Sequence, residues 1–152
     1  MRSEFTVAVH CLALLAYLPD HRASSELLAH NVSTNPTRIR KIMSTLKKSG
    51  FVKTKEGIGG GYELNCQPAE VTLAEVYRSI CGGTLKPHWS SGNPEEKCLV
   101  SANMALVMDG FFREAELYYE EYLERNTLQT VLERLRQCQQ KTARGETHVH
   151  EY

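Results

Sequence analysis

The stretch NVSTNPTRIRKIMSTLKKSGFVKTKEGIGGGYEL, residues 31–64, decides the fold. Asn35 can cap a helix, and Pro36 stands at the first helical position, where its missing N–H costs nothing. Ile39, Ile42, Met43 and Leu46 recur at i, i+3, i+4 and i+7 and define one buried face. Gly50 supplies the stop. Phe51-Val52-Lys53-Thr54 and Tyr62-Glu63-Leu64 then read as short strands, with the glycine-rich KEGIGGG between them. Strand, glycine turn, strand predicts a hairpin.

Working back toward the N-terminus, residues Ser3 to Tyr17 carry Phe5, Val9, Leu12, Ala13 and Ala16 at helical spacing. Leu18-Pro19-Asp20-His21 ends that helix, because proline and the residue before it resist continuation. SSELLAHN follows as a short second helix with Ser24 as its N-cap, and Val32-Ser33-Thr34 breaks it. The order helix, helix, turn, helix, hairpin predicts a winged helix-turn-helix over residues 1–67. The fold class is mainly α with a small β-hairpin wing.

Toward the C-terminus, Pro68 marks the domain edge and Thr72 caps the helix LAEVYRSI, which ends at Cys81-Gly82-Gly83. Residues 82–97, GGTLKPHWSSGNPEEK, have the composition of a loop. Residues 68–98 are thus a linking helix and loop. From Leu99 to Glu124 the pattern is again helical and long. Met104, Met108, Phe111, Ala115, Tyr118 and Tyr122 follow alternating steps of four and three, a short heptad seam of the kind two helices need to lie side by side. Thr127 caps a last helix, LQTVLERLRQ. The reading is of dimerisation helices over 99–140 and a flexible tail over 141–152.

Length and charge bound the function. The chain has 152 residues, 41% hydrophobic and 24% charged, enough for a real core. No stretch nears the roughly 18 consecutive apolar residues of a membrane span. The N-terminal segment has Glu4 where a signal peptide would be basic and no small-residue cleavage site, so a cytoplasmic chain is expected. The formal net charge is zero, but residues 1–64 hold nine basic and five acidic side chains, a net of +4. Residues 65–152 hold nine and thirteen, a net of −4. Thr34 to Lys55 contains Arg38, Arg40, Lys41, Lys47, Lys48, Lys53 and Lys55 and no acid. Seven cations in 22 residues make a local field whatever the total is.

A helix with basic residues near its N-terminus can enter the major groove, where Arg and Lys reach guanine acceptors and phosphates. Thr34, Asn35, Thr37, Arg38, Arg40 and Lys41 lie at or near the start of the third helix. Arg38 and Arg40 are placed to read bases, and Lys47 and Lys48 to meet phosphates. Gly59 and Gly60 let the wing backbone approach a duplex, with Lys53, Lys55 and Tyr62 beside them. A nucleotide-binding glycine loop would need a following helix, whereas here a strand follows. One winged helix reads only a half-site, which favours a homodimer on double-stranded DNA.

These residues resemble the Rrf-two family of bacterial transcription regulators. The resemblance rests on the Asn35-Pro36 cap, the step Leu46-Lys47-Lys48-Ser49-Gly50-Phe51-Val52 and the wing Gly59-Gly60-Gly61-Tyr62, and it runs from residue 1 to about 137. It implies a cytoplasmic homodimer that binds an inverted-repeat operator, usually as a repressor, through a long dimerisation helix. Several members sense iron–sulfur status, nitric oxide or redox state through three cysteines in the loop before that helix. Here the cysteines stand at 11, 66, 81, 98 and 138, and the loop interior from Gly82 to Lys97 holds none. One thiolate, Cys98, does not hold a cluster that needs four ligands. No cofactor and no metal are therefore expected. A makeshift set of Cys81, Cys98, His88 and His10 has irregular spacing, and His148 and His150 lie in the tail.

Gly92-Asn93-Pro94 followed by a single cysteine is similar to cluster-free members, some of which respond to oxidants or electrophiles. Cys98 would sit near the N-terminus of the long helix, where the dipole favours thiolate, with Lys97 adjacent and Glu95 and Glu96 opposing. It is the candidate sensor, for an oxidant or a small-molecule effector. Cys11 lies on the apolar side of the first helix and reads as core. The competing readings are a winged-helix module that binds a protein partner without DNA, and an iron–sulfur-sensing regulator. An enzyme is not expected: no nucleophile–base arrangement appears, and His10, His21 and His30 have no evident carboxylate partners.

Overall fold

Asn35 accepts a hydrogen bond from the Arg38 backbone N–H at 2.8 Å, and Pro36 opens the helix behind it. This is the start of α3, Pro36–Lys48, in a computed structural model that describes residues 3–82 and 85–145. The other helices are α1 (Glu4–Tyr17), α2 (Ser25–Val32), α4 (Leu73–Cys81), α5 (Leu99–Glu124) and α6 (Leu128–Ala143). Ser24, Thr72 and Thr127 cap α2, α4 and α6 as their positions predict. The break between α2 and α3 is tight. Ser33 takes a left-handed conformation at φ 62°, and the Thr34 N–H returns to the Ala29 carbonyl at 2.9 Å. A left-handed non-glycine costs about 1–2 kcal/mol, so the turn is held by its surroundings and fixes how α3 leaves α2.

Ile39, Ile42, Met43 and Leu46 are buried, as their spacing predicts. They meet Val7, Ala8, Cys11, Leu12, Leu15, Leu28 and Val52 in one core. On α1 the most buried side is Val7, Ala8, Cys11, Leu12 and Leu15, whereas Phe5, Val9 and Ala16 are half-buried. The expected stripe was one side of a helix that is covered on several. Cys11 is core, and burial pushes its thiol up to about 12.

The expected hairpin wing is present, and a third short strand extends it into a three-stranded antiparallel sheet. β2 (Val52–Lys55) and β3 (Gly61–Leu64) pair with Thr54 opposite Tyr62. β1 (Arg22–Ala23) adds to the free edge of β3, giving the order β1-β3-β2. Two residues carry no alternation, which is why β1 is invisible to a periodicity argument.

α6 also runs further than its sequence pattern indicated, through Ala143, and His148 and His150 lie outside the described residues. Leu128 and Leu132 of α6 and Val71 and Val76 around α4 are buried in the same core as α1–α3. The core therefore crosses the boundary expected at residue 67. Backbone bonds stitch this return: Leu73 N–H reaches the Asn126 carbonyl at 2.7 Å, and Leu128 N–H reaches Val71 at 2.9 Å. α5 leans on the body through Tyr119 and Leu123, which meet Tyr77 of α4. No helix among the described residues is long and apolar enough to cross a membrane.

Candidate nucleic-acid interface

With Ile39, Ile42, Met43 and Leu46 turned inward, the 100° step of a helix turns Thr37, Arg40, Lys41, Ser44, Lys47 and Lys48 outward. All six are exposed. Ser44 was not anticipated. Its signal was its place opposite the buried face, with Thr37 seven residues before it and Lys48 four after. Asn35 is occupied as the helix cap, and Thr34 sits in the turn with its N–H bonded to Ala29.

Arg38 behaves unlike Arg40. It is half-buried and its guanidinium donates to Ser3 Oγ at the head of α1, on the flank of α3. Arg40 lies on the exposed face, where one nitrogen donates to Ser25 Oγ at 3.2 Å and stands 3.5 Å from a Glu26 oxygen. The structure thus separates two arginines that spacing alone grouped together.

The wing is tied to the same face. Lys47 Nζ donates to Thr54 Oγ1 at 3.0 Å, joining the C-terminal end of α3 to β2. Tyr62 and Thr54 share one side of the sheet by their register. Burial is the main cause that raises the Tyr62 phenol, with Arg40 lowering it and Glu26 raising it, so all three share one neighbourhood. Between α2, α3 and the wing lies an open cleft of about 470 Å³ lined by Ser25, Glu26, Lys47, Thr54, Lys55 and Tyr62.

Lys53 lies on the other side of the sheet with Glu63, at 3.3 Å, and Glu63 also meets Arg22 at 3.4 Å. The cations are therefore less isolated than the acid-free run from 34 to 55 implied. Folding brings Glu26 to Arg40 and Glu63 to Lys53. Arg38, Lys41, Lys47, Lys48 and Lys55 form no ion pair among the described residues and supply the remaining uncompensated charge.

The wing turn needs its glycines for close approach. A Cβ on Gly60 would sit 2.3 Å from the Lys55 carbonyl oxygen, and one on Gly61 would sit 2.5 Å from that of Ala23. Gly59 has φ +73° and open space around it. Ile58, fully exposed at the tip, was also unanticipated, and nothing in its spacing distinguishes it from a turn residue.

Away from this face, Cys98 is the exposed N-cap of α5. The backbone N–H groups of Ser101 and Val100, in the first turn, favour its thiolate and hold its pKa below the ordinary value. The preceding loop is fastened along α5 at three points. Leu85 N–H reaches Glu116 at 3.1 Å, Lys86 pairs with Asp109 at 2.7 Å, and Asn93 N–H reaches Ser101 Oγ at 3.1 Å. Gly92 allows the last contact, since a Cβ there would stand 2.2 Å from the Ser101 carbonyl. Of the seam residues of α5, Phe111, Ala115, Tyr118 and Tyr122 are exposed, whereas Met104, half-buried, and Met108, marginally exposed, line a small cavity against Lys86, Pro87 and Trp89 of the loop. A separate apolar cleft of about 630 Å³ lies between α1 and α6, walled by Phe5, Val9, Leu14, Val131 and Leu135.

A protein-family model described as "Rrf2: Iron-dependent Transcriptional regulator" matches residues 1–134. YwnA of Bacillus subtilis (strain 168), named as an HTH-type transcriptional regulator, is 31% identical over 135 residues, covering 89% of this chain and 98% of that protein. The crystal structure of a transcriptional regulator from Lactobacillus plantarum superposes with a TM-score of 0.78 at 27% identity, covering 93% of this chain and 99% of the other. CymR, titled the global cysteine regulator of B. subtilis, has the same fold at a TM-score of 0.62 and 19% identity, covering 88% and 95%.

The family description names iron, and the donor set here does not fit it. Cys81 is buried against Ala74, Tyr77 and Leu123, while Cys98 is exposed at the head of α5. His10 bonds to Asn31 at 2.7 Å on another side of α1. Among the described residues no three His, Cys, Asp or Glu side chains converge, and a cluster needs about four ligands.

Proposed function

The chain belongs to the Rrf2 family of transcriptional regulators, and from that premise we propose that it acts as a homodimer. The dimer lays one α3 in each of two successive major grooves of an inverted repeat and represses the gene beside it. The exposed row Thr37, Arg40, Lys41, Ser44 and Lys48, tied at its far end to the wing through Lys47 and Thr54, supports this reading most strongly. Arg40 reads a base, Lys41 and Lys48 meet phosphates, and the Gly59-Gly60 turn brings the wing backbone to the duplex. Arg38 acts differently, holding α3 to α1 through Ser3. The protein works in the cytoplasm, where its DNA is.

Arg40→Ala is the direct test. It is expected to weaken binding to a preferred duplex by about 1–3 kcal/mol, tenfold or more, and to relax preference at one base pair of each half-site. Fluorescence anisotropy with single-base duplex variants reads both effects. Unaltered affinity would remove α3 as the reading helix.

The second monomer packs through Met104, Met108, Phe111, Ala115, Tyr118 and Tyr122, of which Phe111, Ala115, Tyr118 and Tyr122 are the most open in the single chain. For the input, Cys98 combines exposure with a depressed thiol pKa. Its loop is fastened to Asp109 and Glu116, so a change at Cys98 would shift how α5 sits on the body and hence the spacing of the two wings. Cys98→Ser should abolish release from DNA by a stoichiometric oxidant, followed by gel shift. A full response in the variant would take Cys98 out of the mechanism. A small apolar effector would find room in the cleft between α1 and α6.

A further inference from the structure

Two acids line the cleft beside α3, Glu26 and Glu56, and of these Glu26 pairs with Arg40. Glu26 lies in the first turn of α2, and its carboxylate meets the same Arg40 guanidinium that donates to Ser25. Its own backbone N–H and the Ser25 side chain hold the carboxyl below the usual range, with Arg40 adding to the effect. The pair is exposed, 69% for Glu26 and 52% for Arg40, so in water it adds little to stability. Its weight appears when a duplex covers it, because excluded water strengthens every charge interaction left behind.

We propose that Glu26 is a specificity-determining residue that positions Arg40 and guards it against phosphate. The inference rests on the assignment of α3 as the reading helix. Arg40 in the free protein is satisfied by an anion and a hydroxyl. A guanine offers it two neutral acceptors, O6 and N7, and can take its free N–H groups while Glu26 stays in place. A phosphate that approached the same guanidinium would lie beside the Glu26 carboxylate and be repelled. Glu26 therefore taxes backbone-only encounters and leaves the base contact nearly untouched. The acid-free run from 34 to 55 hides this, since the acid comes from a different helix.

The test uses the full chain and two duplexes: one selected from a random pool by the wild-type protein, and a scrambled duplex of the same composition. Glu26→Gln is expected to raise affinity for the scrambled duplex about 5-fold at low salt. Affinity for the selected duplex should change less than about 2-fold, so the selectivity ratio falls by a similar factor, with no change in Tm. Glu56→Gln, at the wing turn, removes the same charge without touching Arg40 and should raise both affinities equally. In an Arg40→Ala background Glu26→Gln should also act equally on both duplexes, as a coupled pair requires.

Equal gains on both duplexes for Glu26→Gln in the wild-type background would reduce Glu26 to bulk charge and overturn the proposal. So would a loss confined to the selected duplex, which would make Glu26 itself a base reader. If Arg40→Ala alone leaves the selected duplex bound as tightly as before, the failure lies with α3 as the reading helix.

Discussion

Replacing Tyr77 with alanine is expected to destabilise the protein by about 3–5 kcal/mol, the range for emptying a large aromatic site in a packed interior. Tyr77 is fully buried where α1, α4 and α5 meet. Its ring stands edge-on to Phe5 of α1, with centroids 5.4 Å apart, and to Tyr119 of α5 at 5.1 Å. Its hydroxyl donates to Glu116, whose other oxygen accepts the Leu85 N–H. One side chain thus joins the winged domain, the long helix and the loop before Cys98. For a chain of this length the loss corresponds to a fall in Tm on the order of 10 °C, readable by thermal melt. Tyr77→Phe keeps the ring and removes the hydroxyl, so about 1 kcal/mol is expected. A phenylalanine variant as damaged as the alanine one would move the weight of this joint from packing to the Glu116 bond.

The other large effect concerns assembly. Phe111→Asp combined with Tyr118→Asp should convert a dimer to a species of the 17.2 kDa chain mass, measured by light scattering. Phe111 is 63% and Tyr118 72% exposed in the single chain, so charges there leave the fold intact. In a two-fold interface each residue counts twice, and each aromatic buries roughly 150–250 Å². Placing four carboxylates in such a seam separates the copies. Affinity for an inverted repeat should then fall about 100-fold or more, because the second half-site no longer gains from the effective concentration of a tethered partner. A variant that remains dimeric would locate the interface elsewhere on the chain. The 630 Å³ cleft between α1 and α6 is then the next apolar surface to examine.

Local chemistry made much of the fold legible. The Asn35 cap, Pro36 and the four-residue apolar face specify α3 within a window of a dozen residues, and the glycines specify the wing turn. Of the heptad positions of α5, Phe111, Ala115, Tyr118 and Tyr122 are exposed, while Met104 is half-buried beside the loop. What escaped depends on partners distant in sequence. β1 exists because Arg22 and Ala23 meet Glu63 and Tyr62, some 40 positions away. α6 returns to the first core because its cap region pairs with the segment before α4, as the bond between Leu128 and Val71 records.

The site shows the same division. Helical periodicity identifies which face of α3 is exposed, and so finds Arg40, Lys41 and Lys48. It cannot say that Arg38 turns to Ser3 or that Arg40 has Glu26 as a neighbour, since both partners lie in other parts of the chain. A run that is acid-free in sequence is not acid-free in space, because folding brings Glu26 and Glu63 to Arg40 and Lys53.

If two copies of α3 read DNA sequence, the protein selects its own site from a mixture. The measurement is selection from a randomised duplex pool by the 152-residue chain. An inverted repeat should be enriched, with half-site centres about one helical turn, or a multiple of it, apart and a guanine in each half. A pool that stays random while still binding, or one that enriches a single unpaired half-site, would contradict sequence reading by two copies of α3.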